Sequence, residues 1–173
     1  MPLSPLRRSW ATVPLRSRVT GVDAETLRRW LADLPPPPGY AVSARPLRYR
    51  QAPHLAAFCW YEDRLIELQV PEPFRAWEER VYYRARRKPG RRLAFQWFSR
   101  RVRFRTRREV LRFVYCHEFY HWYLREVRGG KASAETACDR FALAHFRARN
   151  AGVDWTVLLP GYDPTRRPLN RAA

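Results

Sequence analysis

The chain of 173 residues carries 34 lysine and arginine residues against 16 aspartate and glutamate residues, a net charge of +18, and 46% of it is hydrophobic. That length and apolar content predict one folded domain and exclude disorder throughout the chain. No apolar run approaches the ~20 residues of a membrane span. The opening residues, MPLSPLRRSW, lack the apolar stretch of a secretory signal peptide. We therefore expect a cytoplasmic protein without a membrane partner.

The positive charge comes almost entirely from arginine. Such a charge favours association with polyanions, nucleic acid above all, through contacts to phosphate groups. A solvated arginine-rich surface that results from compositional bias accounts for the same charge equally well. Charge by itself therefore leaves both interpretations open.

The first half of the chain is predicted to begin with a flexible or loosely docked arm, rich in proline and arginine, over residues 1–19. Asp23 is a suitable N-cap for a helix over residues 24–34, which the proline run at 35–38 ends. A strand is expected within residues 40–49. Two further apolar segments predict a hairpin, with strands over 54–61 and 64–70.

Residues 74–106 are predicted to contain a helix and then a strand. The spacing of apolar side chains favours a helix over residues 74–87, which ends before Pro89-Gly90. In the segment 91–106, arginine alternates with Val102 and Phe104, which is typical of a strand with one apolar and one cationic face. We expect the cationic face to border the cleft of the site described next; its residues are Arg101, Arg103 and Arg105.

A long helix is predicted over residues 105–130. Thr106 and Glu109 have the spacing of a capping box, and Gly129-Gly130 is a C-terminal stop signal. At about 100° per residue, apolar side chains form one stripe along this helix, and aromatic side chains occupy the opposite face. The helix should therefore be central, with protein on both sides.

The sequence His117-Glu118-Phe119-Tyr120-His121 in this helix is an H-E-x-x-H motif. Two imidazoles four residues apart on one helix face can bind the same zinc ion. Glu118 lies about 100° round the helix axis, where its carboxylate can reach a water on the metal. The simpler alternative is a chance match in which both histidines belong to the core.

A catalytic zinc ion needs a third protein ligand, and the following helix, predicted over residues 134–150 with Ser133 as its N-cap, offers several. Glu135 and Asp139 share a face of that helix, whereas Cys138 is rotated by about 60° and His145 by about 80° from Glu135. The connecting turn, up to roughly 16 Å long, can return Glu135 to the metal. Asp139 can then accept a hydrogen bond from a ligand histidine. Of the four candidates, Glu135, Cys138, Asp139 and His145, this geometry favours the acidic pair, Glu135 and Asp139.

The motif HEFYH followed by ETACD resembles the gluzincin group of zinc metallopeptidases, and the short gap is similar to that of minigluzincins and ImmA/IrrE-like proteins. The resemblance covers about residues 64–146. It implies an α+β fold: a zincin-like domain over residues 20–152, in which a short, mostly antiparallel sheet packs on the central H-E-x-x-H helix. Residues 153–173 would be a C-terminal tail.

The resemblance also implies an activity, hydrolysis of peptide bonds with Zn²⁺ as cofactor and a protein or peptide as substrate. His117, His121 and Glu135 would bind the metal, Glu118 would be the general base, and Asp139 would orient a ligand histidine. An extended substrate would lie along the strand near residues 101–105. Candidates for the group that stabilises the oxyanion are Tyr120, Tyr123 and His145.

Three other interpretations remain. SprT-like proteases, which act on DNA-bound proteins, are a related possibility that the charge favours, but their usual third ligand is histidine rather than the Glu135 found here. The chain could instead be a basic nucleic-acid-binding protein with a structural or vestigial zinc site. In the last interpretation it is a structural protein without a metal.

Overall fold

The computed structural model describes residues 9–90, 94–130 and 134–166, which form an α+β fold. The strands are β1 (Leu15–Ser17), β2 (Ala41–Leu47), β3 (Ala56–Trp60), β4 (Leu65–Pro71), β5 (Trp77–Arg87) and β6 (Phe95–Phe104). The helices are α1 (Ala24–Leu31), α2 (Arg107–Trp122), α3 (Glu135–His145) and α4 (Trp155–Leu158), and a π-helical turn, Tyr123–Val127, continues α2. Within the described residues, no helix has the length and apolar character that crossing a membrane requires.

Four strands form a mixed sheet in the order β1-β2-β4-β3. The predicted hairpin of β3 and β4 is confirmed, with the pair antiparallel. The prediction of a mostly antiparallel sheet is wrong here, because β2 pairs in parallel with both β1 and β4. Long connections, one through α1 and one through β3, permit these parallel pairs. The parallel pairing is favoured because it buries the apolar residues of β2 beside those of β4. The local sequence pattern contains no sign of this pairing.

The predicted helix over residues 74–87 is also wrong, since Trp77–Arg87 is a strand that pairs antiparallel with β6. In the first half of β5, every second residue faces inward, and Val81 is buried there. The helix-like spacing of apolar residues was coincidental, and pairing with a distant strand outweighs it. The strand predicted before the motif helix is confirmed as β6, although residues 91–93 lie outside the described part of the chain.

Helix α2 occupies the centre of the molecule, as predicted. Thr106 caps it by accepting a hydrogen bond from the backbone N–H of Glu109 at 3.1 Å. The Glu109 carboxylate accepts in turn from the backbone N–H of Arg105, one residue earlier than an ideal capping box requires. Most of the helix is buried on both sides, between α3 and the strands β3 and β4. The chain leaves the helix at Gly129, whose φ of +66° suits glycine.

Both predicted terminal segments join the core where the structure describes them. Trp10 is 1% exposed and donates a hydrogen bond to the Leu34 carbonyl, so the arm predicted for residues 1–19 is packed from residue 9 onward. At the other end, Trp155 and Tyr162 are buried, although residues 153–173 were predicted to be a tail. Large aromatic side chains gain enough from burial to anchor such segments. Residues 1–8 and 167–173 lie outside the described residues.

An ion pair with a buried arginine ties three helical segments together. Arg112 of α2 is 2% exposed, and its Nη1 lies 2.5 Å from Oδ1 of Asp33, just after α1. The same guanidinium donates to the carbonyl of Phe146, at the end of α3. Burial raises the pKa of Asp33, but hydrogen bonds from Arg112 and from the Asn150 backbone outweigh burial and hold this pKa below its usual value.

We predict that Asp33→Ala lowers the free energy of unfolding by about 3 kcal/mol, because it leaves the Arg112 guanidinium buried without its counter-ion. Urea denaturation followed by circular dichroism measures the change. Glu78→Ala is the matched control: Glu78 faces Arg101 at 3.8 Å on an exposed surface, so its loss should cost at most about 0.5 kcal/mol. Equal losses in the two variants would contradict the prediction.

Candidate metal centre

The predicted site residues come together at the packed surfaces of α2 and α3. His117, Glu118 and His121 lie on α2, and Glu135 and Asp139 lie in the first half of α3. All five side chains line one cleft with a volume of about 760 Å³. The Ser133 cap predicted for α3 lies outside the described residues, and Ala134 occupies the N-cap position.

Two imidazoles and one carboxylate form a small triangle of ligand atoms. The Nε2 atoms of His117 and His121 are 3.1 Å apart. Glu135 places Oε2 at 3.1 Å from Nε2 of His117 and Oε1 at 3.3 Å from Nε2 of His121. Ligand atoms bound about 2.0–2.1 Å from a tetrahedral zinc ion lie roughly 3.3–3.4 Å from one another. The spacing of the triangle therefore fits one such ion.

Asp139 orients the first histidine. Its Oδ1 lies 2.7 Å from Nδ1 of His117, so the Nδ1–H donates to the carboxylate and Nε2 points into the triangle. Burial lowers the pKa of His117, but the hydrogen bonds to Asp139 and Glu135 raise it to about 10. Burial and the charge of His117 lower the pKa of His121. The pair therefore carries one positive charge, and a bound cation would replace the proton on Nε2 of His117.

Glu118 is buried beside the triangle, where it is 8% exposed and accepts a hydrogen bond from the backbone N–H of Cys59. Burial raises the pKa of Glu118 to about 7, against the opposing effect of His117 and with a further contribution from Glu135. A carboxylate with a pKa near neutrality is well suited to accept and return a proton.

A second candidate for the third ligand is Cys138, which is fully buried on α3. Its Sγ and one ring nitrogen each of His117 and His121 all lie within 4.8 Å of one another, so these three residues can hold a metal ion. Helix geometry predicts Glu135 rather than Cys138 as this ligand, and the Glu135 oxygens lie 3.1 and 3.3 Å from the Nε2 atoms of the two histidines. Burial raises the pKa of the Cys138 thiol, which opposes thiolate formation.

The candidate residues for oxyanion stabilisation are engaged elsewhere. The Tyr123 hydroxyl donates a hydrogen bond to the Pro160 carbonyl, and His145 forms a hydrogen bond with the Asn150 side chain. The Tyr120 ring stacks on Phe141. Tyr61 lines the cleft instead. Burial raises the pKa of its hydroxyl, so the hydroxyl keeps its proton and can donate a hydrogen bond. Sequence reasoning missed Tyr61, whose only signal was its position at the end of the first hairpin strand.

The wall of the cleft is strand β3, at the edge of the four-stranded sheet. The prediction that residues 101–105 border the cleft is wrong. The antiparallel pair of β5 and β6, which we call the second hairpin, contributes Glu79, Arg80 and Val81 of β5 instead. The Glu79 carboxylate accepts from the backbone N–H of Leu55, just before β3, and from the Trp77 indole. This contact holds the edge strand and the second hairpin on opposite sides of the cleft.

Comparison of the chain with models of protein families, with curated proteins and with solved structures finds no match. The interpretation of the site therefore rests on its geometry.

We predict that Glu135→Ala weakens Zn²⁺ binding by at least about 100-fold, because removal of a ligand should cost more than the 10- to 100-fold loss typical of outer hydrogen-bond partners. Cys138→Ala, on the same helix, should change the affinity by only a few-fold. Competition with a chromophoric chelator measures both values. A larger loss of affinity in Cys138→Ala than in Glu135→Ala would identify Cys138 as the third metal ligand.

We predict that Asp139→Asn weakens Zn²⁺ binding by about 10- to 100-fold, because the His117 ring loses the carboxylate that orients it. The same competition titration measures the loss. Glu62→Gln, in the exposed turn after β3, is the control that removes one negative charge without touching the site. An effect of equal size in the control would assign the loss to net charge alone.

Proposed function

We propose that the chain is a zinc-dependent metallopeptidase of the gluzincin type, which hydrolyses peptide bonds with Glu118 as the general base. The observation that carries this proposal is the convergence of the His117, His121 and Glu135 ligand atoms to 3.1–3.3 Å beside a buried carboxylate. The resemblance of HEFYH and ETACD to the gluzincin motifs agrees with the same assignment.

The residues present fit zinc. Two nitrogen donors and one oxygen donor form a common ligand set for catalytic zinc, and Asp139 supplies the outer hydrogen bond that such a set usually has. Zinc bound there would act as a Lewis acid, lowering the pKa of water and polarising the carbonyl of the substrate. His117, His121 and Glu135 would hold it.

Glu118 would move the proton. Its carboxylate, with a pKa near 7, accepts a proton from the attacking water as the new bond from oxygen to the carbonyl carbon forms. It then delivers that proton to the amide nitrogen as the carbon–nitrogen bond breaks. Tyr61, which lines the cleft and keeps its hydroxyl proton, would donate a hydrogen bond to the carbonyl oxygen.

The cleft favours an extended substrate beside β3, because the edge of a sheet offers backbone groups to a further strand. Phe58 and Trp60 of β3 are each 45% exposed and stack at 5.3 Å, a surface suited to apolar side chains. Arg80 on the opposite wall favours acidic substrates. In this proposal Arg80, rather than residues 101–105, is the cationic group beside the substrate.

We predict that Glu118→Gln retains bound zinc and lowers the rate of peptide hydrolysis by about 10²- to 10⁴-fold, because the amide cannot accept the proton. Cleavage of a mixed library of unstructured peptides, followed by mass spectrometry, gives the rate, and elemental analysis gives the zinc content. Removal of zinc by a chelator should stop the wild-type reaction, and added Zn²⁺ should restore it. An unchanged rate in the variant removes Glu118 from this role.

The second candidate function is nucleic-acid binding with a structural or vestigial zinc site, which the net charge of +18 favours. Wild-type protein that contains zinc, cleaves no peptide of the library and binds oligonucleotides with a steep dependence on salt would support this candidate instead.

A further inference from the structure

The hairpin of β5 and β6 carries a line of aromatic side chains on one face. Residues directly opposite each other on antiparallel strands share a face. The pairs Tyr82↔Ser99, Ala85↔Trp97 and Arg87↔Phe95 therefore lie on the same side, with a bulge between the first two that keeps them there. The ring contacts agree, since Trp97 lies 6.2 Å from both Tyr82 and Phe95. We call this side the aromatic–arginine face.

These three rings are exposed, which is unusual for a continuous group of large aromatics. Tyr82 is 43% exposed, Phe95 45% and Trp97 57%. The opposite face of the hairpin supplies its core contacts at the base, where Val81, Val102 and Phe104 are buried. Folding therefore does not account for the exposed rings.

Arginines lie at both ends of the line of rings, and all of them are exposed. The face carries four arginines and a single glutamate, Glu78. Glu78 is 3.8 Å from Arg101 and 4.0 Å from Arg103, at the limit of an ion pair, so the positive charge is largely uncompensated. The arginines are Arg80, Arg87, Arg101 and Arg103.

We propose that the aromatic–arginine face binds single-stranded nucleic acid. Bases stack on exposed aromatic rings whatever their sequence, and arginines beside the rings contact the phosphates. The bases of a duplex are already stacked on one another, so the rings favour a single strand. This inference uses no feature of the metal centre and does not depend on the proposed peptidase activity.

The placement of the rings separates this partner from an anionic membrane. A membrane-binding element buries its apolar side chains together in the lipid and keeps its cations at the interface. Here the rings lie along the flank of the strands, between arginines at both ends, and the described tip of the hairpin is Lys88-Pro89-Gly90. Such an arrangement follows a chain of alternating phosphates and bases better than a bilayer surface.

The test uses the full chain and fluorescently labelled 15-mers of dT and of U, with fluorescence anisotropy from 50 to 200 mM salt. Trp97→Ala should lower the affinity by about 5- to 150-fold, the effect of losing one base–aromatic stack. Arg87→Gln should lower the affinity for both 15-mers and reduce the slope of log K against log salt by about 0.7. Tighter binding of one 15-mer identifies DNA or RNA as the source of the strand.

Two matched controls isolate the face. Trp60→Ala removes a tryptophan of similar exposure from β3, and Arg86→Gln removes an exposed arginine from the other side of the hairpin. Both should leave the affinity within about two-fold, because neither residue lies on the face. Tyr82→Ala provides a second variant of the face, and far-UV circular dichroism verifies that every variant is folded.

Four results would overturn the proposal. The first is that the wild type binds neither 15-mer at 50 mM salt. The second is that Trp97→Ala and Trp60→Ala lower the affinity equally. The third is that a duplex binds as tightly as a single strand and that Trp97→Ala does not change duplex binding. The fourth is binding to vesicles of anionic phospholipid that Trp97→Ala abolishes, without binding to the oligonucleotides.

Discussion

Four acceptor atoms from two helices lie close together: the Nε2 atoms of His117 and His121 are 3.1 Å apart, and the two carboxylate oxygens of Glu135 lie 3.1 Å from the first and 3.3 Å from the second. Lone pairs at that separation repel unless a proton or a cation lies between them. A proton on Nε2 of His117 satisfies the requirement, and the hydrogen bonds of this ring to Asp139 and Glu135 raise its pKa. A divalent ion would satisfy it better because it would bind all three residues at once. The proposed chemistry depends on this constraint.

The rest of the molecule holds those atoms in place. Helix α2 is buried on both sides, so its histidines cannot turn away, and Arg112 with Asp33 links it to the ends of α1 and α3. Asp139 orients His117 from α3. The edge strand β3 forms the remaining wall and supplies the backbone hydrogen bond to Glu118. The hydrogen bond from His117 to Asp139 is a supporting contact of the kind that fixes the orientation of a metal ligand.

The chain separates two surfaces with different chemistry. The cleft presents a buried acid, two imidazoles and apolar rings beside a sheet edge, which is suited to a peptide. The second hairpin presents exposed rings between arginines, which is suited to a phosphate backbone with bases. Arg80 belongs to both surfaces. Part of the positive charge is therefore concentrated on the hairpin, away from the cleft.

The sequence by itself determined the motif helix, its cap at Thr106, and the meeting of its histidines with Glu135 and Asp139, because helix periodicity and a short connection are local properties. Tertiary structure alone decided that Trp77–Arg87 is a strand, that β2 pairs in parallel, that the buried Cys138 lies near the two histidines, and that Tyr61 lines the cleft. Those outcomes depend on which distant segments bury each other's side chains, and no local spacing contains that information.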